Sequence, residues 1–260
     1  MGFETLVETA ALHWHVVLLF FMIAILYSSV GFGGGSSYLA ILALTGFVFI
    51  QIRSTALLCN IAVVTGNVVL FYRKGLYDWK KVLPLALFSL PMAFLGGYLK
   101  ISQTFFFILL GFTLLFAAIT MWISKRIVSR ENTFHRYKPV ENIGYGGIIG
   151  FISGMVGIGG GIFLAPFLHL RQWDTPKKIA ATASFFILVN SISGLTGQVL
   201  NPDFQTDCNF TSLLLVTVFI GGQIGSRLSH KFFTPIQLKR ATAILIAFVS
   251  IRILWKYLFV

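Results

Sequence analysis

The sequence predicts an all-α polytopic membrane protein built from two inverted repeats. Each repeat is a glycine-broken re-entrant helical hairpin followed by three transmembrane helices, giving about eight hydrophobic segments in all. Three observations lead there. The 260-residue chain is 57% hydrophobic and only 11% charged, where a soluble domain carries about 25% charged residues. Apolar runs long enough to cross a bilayer recur along the whole chain. A glycine cluster interrupts the apolar pattern twice, as Val30-Gly-Phe-Gly-Gly-Gly35 and as Val156-Gly-Ile-Gly-Gly-Gly161, 126 residues apart.

Glycine inside a helix costs roughly 1 kcal/mol relative to alanine, so three in a row mark a point where the helix unwinds. At membrane depth, unwound backbone is tolerated only where protein covers it or where it lines a cavity. Matching interruptions in two halves of a chain point to a transporter's binding site.

In the first half, residues 12–30 lead into the first cluster and 38–50 follow it. A turn, Gln51-Ile-Arg-Ser54, precedes the segment 55–72. After the basic loop 73–81 come segments 82–99 and 104–124. The second half repeats this plan with 142–157, the second cluster, 162–170, then 179–198, 211–228 and 240–258. Thr65-Gly66 falls on Ser193-Gly194 at an offset of 128, and Gly96 on Gly225 at 129. One duplication with small loop insertions explains the drift. The organisation expected is a first membrane repeat over 1–124, a basic linker over 125–141 and a second membrane repeat over 142–260.

Charge sets the topology. The net charge of +12 comes from lysines and arginines in short loops between apolar runs, as the positive-inside rule describes, and nucleic acid is not an expected partner. Loops 73–81, 125–141, 171–178 and 227–239 are expected on the cytoplasmic side. The acidic N-terminus and loop 199–210 are expected outside. Corresponding loops 73–81 and 199–210 then lie on opposite faces, which makes the repeats inverted. Residues 162–170 span about 14 Å as a helix, too short for a roughly 30 Å hydrocarbon core. Each cluster is therefore read as the tip of a hairpin that returns to its starting side. A glycine break within a single crossing is the alternative, and the charges of loops 171–178 and 199–210 argue against it.

All eight carboxylates, Glu4, Glu8, Asp78, Glu131, Glu141, Asp174, Asp203 and Asp207, fall in expected loops or termini. An acidic proton relay or Na⁺ site within the spans is therefore not expected, and nothing there repels an anion. The helices beginning at Gly33, Gly34, Gly35 and at Gly159, Gly160, Gly161 offer unpaired N–H groups and positive dipole ends. Ser36 and Ser37 add hydroxyls to the first; the matching Ile162 and Phe163 add none. Packing glycines are the plainer explanation, and Gly146, Gly150 and Gly154 fit that role. Asn60 and Asn67 share one helical face; Asn190 and Ser193 share another, with Ser191 beside them. These amides and hydroxyls serve either as interhelical bonds or as substrate ligands. Thr65 is a weaker ligand, since helical threonines often bond back to their own backbone. Arg53, Arg171, Arg227 and Arg252 lie near segment ends, where snorkelling explains them. His13, His15 and His169 titrate near neutral pH but also lie near segment ends. Cys59 and Cys208 have no metal-ligand spacing, and neither a metal nor a cofactor is expected. The first residues carry no lysine or arginine, so no secretory signal is read there.

With these residues in hand, the sequence resembles the sulfite exporter TauE/SafE family, also called the toluene sulfonate uptake permease family. The two Val-Gly-X-Gly-Gly-Gly elements carry the resemblance, with Ile158-Gly-Gly-Gly-Ile-Phe-Leu-Ala-Pro166, Asn190-Ser-Ile-Ser-Gly194 and Gly221-Gly-Gln-Ile-Gly-Ser-Arg-Leu228. It covers essentially the whole chain. The resemblance implies a secondary transporter of small sulfur-containing or organic anions such as sulfite or sulfoacetate, working in the cytoplasmic membrane. The expected partners are that small anion, the lipid bilayer and, in a symmetric assembly, a second copy forming a homodimer. A passive anion channel fits the same residues. An intramembrane enzyme needs a nucleophile with a base or a metal cluster, and the spans show neither, which leaves a non-enzymatic assembly factor as the further alternative.

Overall fold

A computed structural model describes residues 3–123, 139–171, 173–204, 206–228 and 235–258. The expected basic linker 125–141 lies almost wholly outside them. Eleven helices are described: α1 (Phe3–Leu12), α2 (Trp14–Val30), α3 (Gly35–Leu44), α4 (Phe49–Arg73), α5 (Trp79–Tyr98), α6 (Gln103–Ile123), α7 (Pro139–Val156), α8 (Gly161–Leu170), α9 (Pro176–Val199), α10 (Cys208–Leu228) and α11 (Pro235–Leu258). No strand occurs among the described residues. Five helices, α4, α5, α6, α9 and α10, are long and apolar enough to cross a membrane. Large apolar side chains stand exposed along several of them, Leu87 on α5, Phe116 on α6, Phe219 on α10 and Phe248 on α11. Apolar surface of this kind is covered by lipid or by protein, and with the five apolar spans the chain is a multi-pass membrane protein.

From α2 onward the order of elements repeats. A helix of 17 or 18 residues, a 10-residue helix, and three helices of 20 to 25 residues occur in each half. The packing repeats too. α5 packs on α7 and α9, as α10 packs on α2 and α4. α3 lies on α4 and α11, as α8 lies on α9 and α6. The central contacts α4 on α9 and α6 on α11 join equivalent helices.

Glycines bring these helices close. α7 lays Gly146, Gly150 and Gly154 against the Leu85, Ser89 and Ala93 carbonyls of α5. A Cβ at Gly146 or Gly150 would sit 2.6 Å from the carbonyl oxygen it faces. In the other half, Gly221 and Gly225 of α10 face the Phe21 and Ile25 carbonyls of α2. Both pairs run parallel, because the residue numbers rise together on the two helices.

The start of each broken pair meets its own end. His13, before α2, packs on Phe47, after α3, with ring centroids 5.6 Å apart. Tyr145 in α7 packs on Phe167 in α8 at 4.4 Å. Both chains turn at a glycine cluster and come back. Helices α4 and α9 run in opposite directions. Near the start of α4, Thr55 shares a hydroxyl hydrogen bond of 3.0 Å with Thr211 of α10, and Arg53 lines a cavity with Gln198 near the end of α9. Near the end of α4, Phe71 and the early α9 residue Ser184 both lie against Gly31.

Candidate functional site

Each glycine cluster is a sharp break with left-handed backbone on both sides of the tip. Gly31 has φ of 90° and ends α2, its N–H bonding to the Ser28 carbonyl while Phe32 bonds to Tyr27. This is the Schellman arrangement that glycine favours. Gly34 and Gly160, both with φ of 82°, open α3 and α8. Left-handed backbone costs a residue with a side chain roughly 1–2 kcal/mol, so glycine suits both positions.

Neither opening is capped by a side chain. The N–H groups of Gly33, Gly34, Gly35 and Ser36, and of Gly159, Gly160, Gly161 and Ile162, have no acceptor among the described residues. All eight residues are buried. An unpaired buried donor costs about 1–3 kcal/mol, so eight of them form a strong demand for an acceptor.

The two tips meet at one side chain. Asn60 is fully buried in the middle of α4, and its Nδ2 donates to the Ile158 carbonyl at 2.8 Å. Gly33 and Gly35 of the first tip sit so tightly on the Asn60 amide that a Cβ would overlap it. Gly159 of the second tip approaches both Asn60 and Ser191, where a Cβ would lie 3.0 Å from Asn60 Nδ2 and 2.6 Å from Ser191 Oγ. Asn60 Oδ1 and Ser191 Oγ are buried without partners.

The other expected residues divide by their bonds. Ser36 and Ser37 are buried in the first turn of α3, and Ser37 shares a 2.9 Å hydrogen bond with the Tyr27 hydroxyl. Asn190 is fully buried; its Nδ2 bonds back to Phe186 at 2.9 Å while its Oδ1 has no partner. The Phe186 ring in turn abuts Gly160. Asn67 accepts from Ser28 at 3.2 Å, and Ser28 also donates to the Gly222 carbonyl at 2.7 Å, so Asn67 ties α4 to α2 beside α10. Ser193 donates to the Leu90 carbonyl at 2.6 Å and joins α9 to α5. Thr65 is exposed and donates to Ile61 one turn back at 2.6 Å. The structure thus gathers Gly33, Gly35, Asn60, Gly159 and Ser191, and leaves Asn67, Ser193 and Thr65 outside that group.

Sequence reasoning misplaced one residue. Arg53 is not a snorkelling arginine at a segment end. α4 begins at Phe49, six residues before the expected start, so Gln51-Ile-Arg-Ser54 is helix and not turn. Arg53 is only 5% exposed. Its Nη2 lies 3.4–3.5 Å from the carbonyls of Gly96, Gly97 and Gly154. The polar composition of the stretch concealed its helical start.

The sulfite exporter TauE/SafE profile matches residues 16–253, nearly the whole chain. The chain belongs to that family. It is 32% identical over 242 residues to the probable membrane transporter protein y4hK of Sinorhizobium fredii, covering 92% of this chain and 97% of that one. It is 24% identical to the probable membrane transporter protein YunE of Bacillus subtilis, over 74% and 77% of the two chains. A probable membrane transporter protein of Methanocaldococcus jannaschii is 26% identical over 59% of this chain and 60% of its own. No solved structure matches.

As a TauE/SafE membrane transporter, the chain closes one end of its helix bundle with charge. Asp174, in the turn between α8 and α9, receives Lys81 at 3.0 Å and faces Lys178 at 3.7 Å. Burial works against the Asp174 carboxylate, but the Thr175 N–H, Lys81 and Lys178 outweigh it and hold its carboxyl below the ordinary aspartate value. Trp173, Tyr77, Trp79 and Phe185 pack around this cluster. Burial pushes the Tyr77 hydroxyl upward, so it stays neutral.

Proposed function

We propose that this TauE/SafE transporter carries a small sulfur-containing or organic anion, sulfite or a sulfonate such as sulfoacetate, by a secondary mechanism. The observation that carries the reading is the meeting of the two glycine tips at Asn60. Each tip carries four acceptor-free N–H groups, and Gly33 and Gly35 of one tip and Gly159 of the other abut the same buried amide. Donors in excess of acceptors favour an anion, and hydrogen bonds to a charged group contribute about 1.5–3 kcal/mol each. Helices α2–α6 and α8–α11 contain no Asp or Glu, and α7 contains only Glu141 near its start. No fixed negative charge in these helices opposes an anion.

The reading includes an inverted duplication, a first repeat over 1–124 and a second over 142–260. The opposite directions of α4 and α9 and the return of both hairpins support it. Loops 73–81 and 171–178 then face the cytoplasm and loop 199–210 faces outward. Alternating access follows if each tip is reached from its own side and both share Asn60.

Counterflow in liposomes tests the function. Purified protein loaded with unlabelled sulfite should accumulate external radiolabelled sulfite transiently, with saturation, and should ignore choline and glucose. Linear, unsaturable flux without counterflow makes the protein a channel. Selective uptake of choline or glucose sinks the anion assignment.

A further inference from the structure

Arg53 and Gln198 lie off the Asn60 junction, at the end of the bundle where α4 starts and α9 ends, with the Arg53 backbone against Gly157 at the entry to the second glycine cluster. Resting on the anion reading above, we propose that they form a second anion site, which takes one small oxyanion on its way to or from Asn60.

A guanidinium stays charged in any protein environment, and a buried charge needs a partner. Among the described residues Arg53 has no carboxylate partner. Asp203 is the one acidic residue in the cavity wall, and it is held by Lys100 at 3.0 Å. Arg53 instead reaches three carbonyls with a single nitrogen, at 3.4–3.5 Å, where a normal N–H···O distance is about 2.9–3.0 Å. These carbonyls belong to the last turns of α5 and α7, whose dipoles favour a nearby cation. That contact orients the guanidinium without saturating it, and Nε has no partner.

Gln198 is the second observation. It is 4% exposed, and both its amide atoms are buried without partners. Arg53, Gln198, Lys100 and Asn201 line a cavity of about 50 Å³. A single water needs about 10–15 Å³ of such space, so the cavity has room for one small oxyanion. Two cations and one carboxylate on the wall leave one positive charge for it. A guanidinium fork matches two oxygens of such an ion.

The repeat architecture does not call for an arginine here, since the equivalent position in α9 is Ala181. Arg53 and Asn60 are seven residues apart on α4, two turns along one face and about 10 Å along the axis. An anion released by Arg53 therefore has the tips as its next station.

Calorimetric titration of the purified full-length protein with sodium sulfite, at constant ionic strength, tests the site. Arg53→Gln should weaken binding at least tenfold, Gln198→Ala severalfold, and Arg53→Lys less than Arg53→Gln. A merely structural arginine predicts a lower melting temperature with the affinity of the folded protein unchanged. Gln198→Ala decides alone if Arg53→Gln does not fold. Wild-type binding with unaltered affinity in Gln198→Ala, or in folded Arg53→Gln, overturns this site and leaves the tips in place. A wild-type protein that binds no sulfite, ethanesulfonate or acetate removes the anion reading and this site with it.

Discussion

The two halves of the molecule share a backbone and differ in chemistry. Both halves turn at a Gly-Gly-Gly tip, start a 10-residue helix from a glycine at φ of 82°, and pack their hairpin against a glycine-lined partner helix. Polar groups do not follow that symmetry. At the 128-residue offset, Arg53 falls on Ala181, Asn60 on Leu188, Asn190 on Ala62 and Ser191 on Val63. Ser36 and Ser37 fall on Ile162 and Phe163 at the offset of 126. The duplicated part is what a broken helix needs in order to exist in a membrane. The unduplicated part includes the polar side chains proposed to hold a ligand. On the proposed anion reading, a symmetric frame with an asymmetric lining would let a single ion interact with both tips without requiring two copies of every ligand.

The comparison breaks most severely at the tips. Gly34→Leu and Gly160→Leu should each reduce transport to background, because the first Cβ already meets Tyr38 at 3.1 Å or Phe186 at 2.8 Å on strained backbone. Gly46→Ala is the control: it has φ of 79° but open space around it, so transport should persist. Membrane insertion is checked by extraction and gel filtration, uptake in liposomes.

Next come the two helix crossings, where the halves should respond alike. Gly96→Val presses on the Phe151 carbonyl of α7, and Gly225→Val on the Ile25 carbonyl of α2. Overpacking costs about 1–3 kcal/mol, and thermal unfolding should show similar losses for both. A loss at one crossing only would mean that the frame is not duplicated in energy.

A smaller effect separates the halves. Asn60→Ala removes the bond to Ile158 and a ligand, and should weaken sulfite binding roughly tenfold, the loss of one charged hydrogen bond. Leu188→Ala, at the equivalent place, should leave affinity unchanged by calorimetry. Equal effects would contradict an asymmetric lining.

The smallest effect is at the charged end of the bundle. The Asp174 carboxyl is held below its ordinary value, so its ion pairs contribute stability that is full above about pH 4. That contribution is lost as pH falls through the lower folded-state value. Asp174→Asn should lower stability modestly at neutral pH and flatten the acid limb of the unfolding profile, the difference from wild type vanishing once Asp174 is protonated.

Much of this was legible in the sequence. Hydropathy located α2 to α11 but not α1 (Phe3–Leu12), whose two glutamates dilute its apolar pattern, and the glycine spacing located both breaks. Gly146, Gly150 and Gly154 read as packing residues because small residues every fourth position form one helical stripe. The site was legible only as a set of possibilities. Asn60, Asn67, Asn190 and Ser193 look alike along the chain, since any buried amide or hydroxyl needs a partner. Only tertiary structure separates Asn67 and Ser193, whose bonds join helices, from Asn60, which touches both tips. Arg53 was obscured for a different reason: Gln51-Ile-Arg-Ser54 has turn-like polarity, and burial at the α5 and α7 ends overrides it.

On the proposed reading an anion sits between the tips at Asn60. Selenite, the selenium analogue of sulfite, tests it most directly through anomalous diffraction from crystals grown with it. A selenium peak is expected within hydrogen-bonding distance of Asn60 and of N–H groups from Gly33–Ser36 or Gly159–Ile162. Saturating selenite that leaves the tips empty while occupying another part of the protein would contradict it.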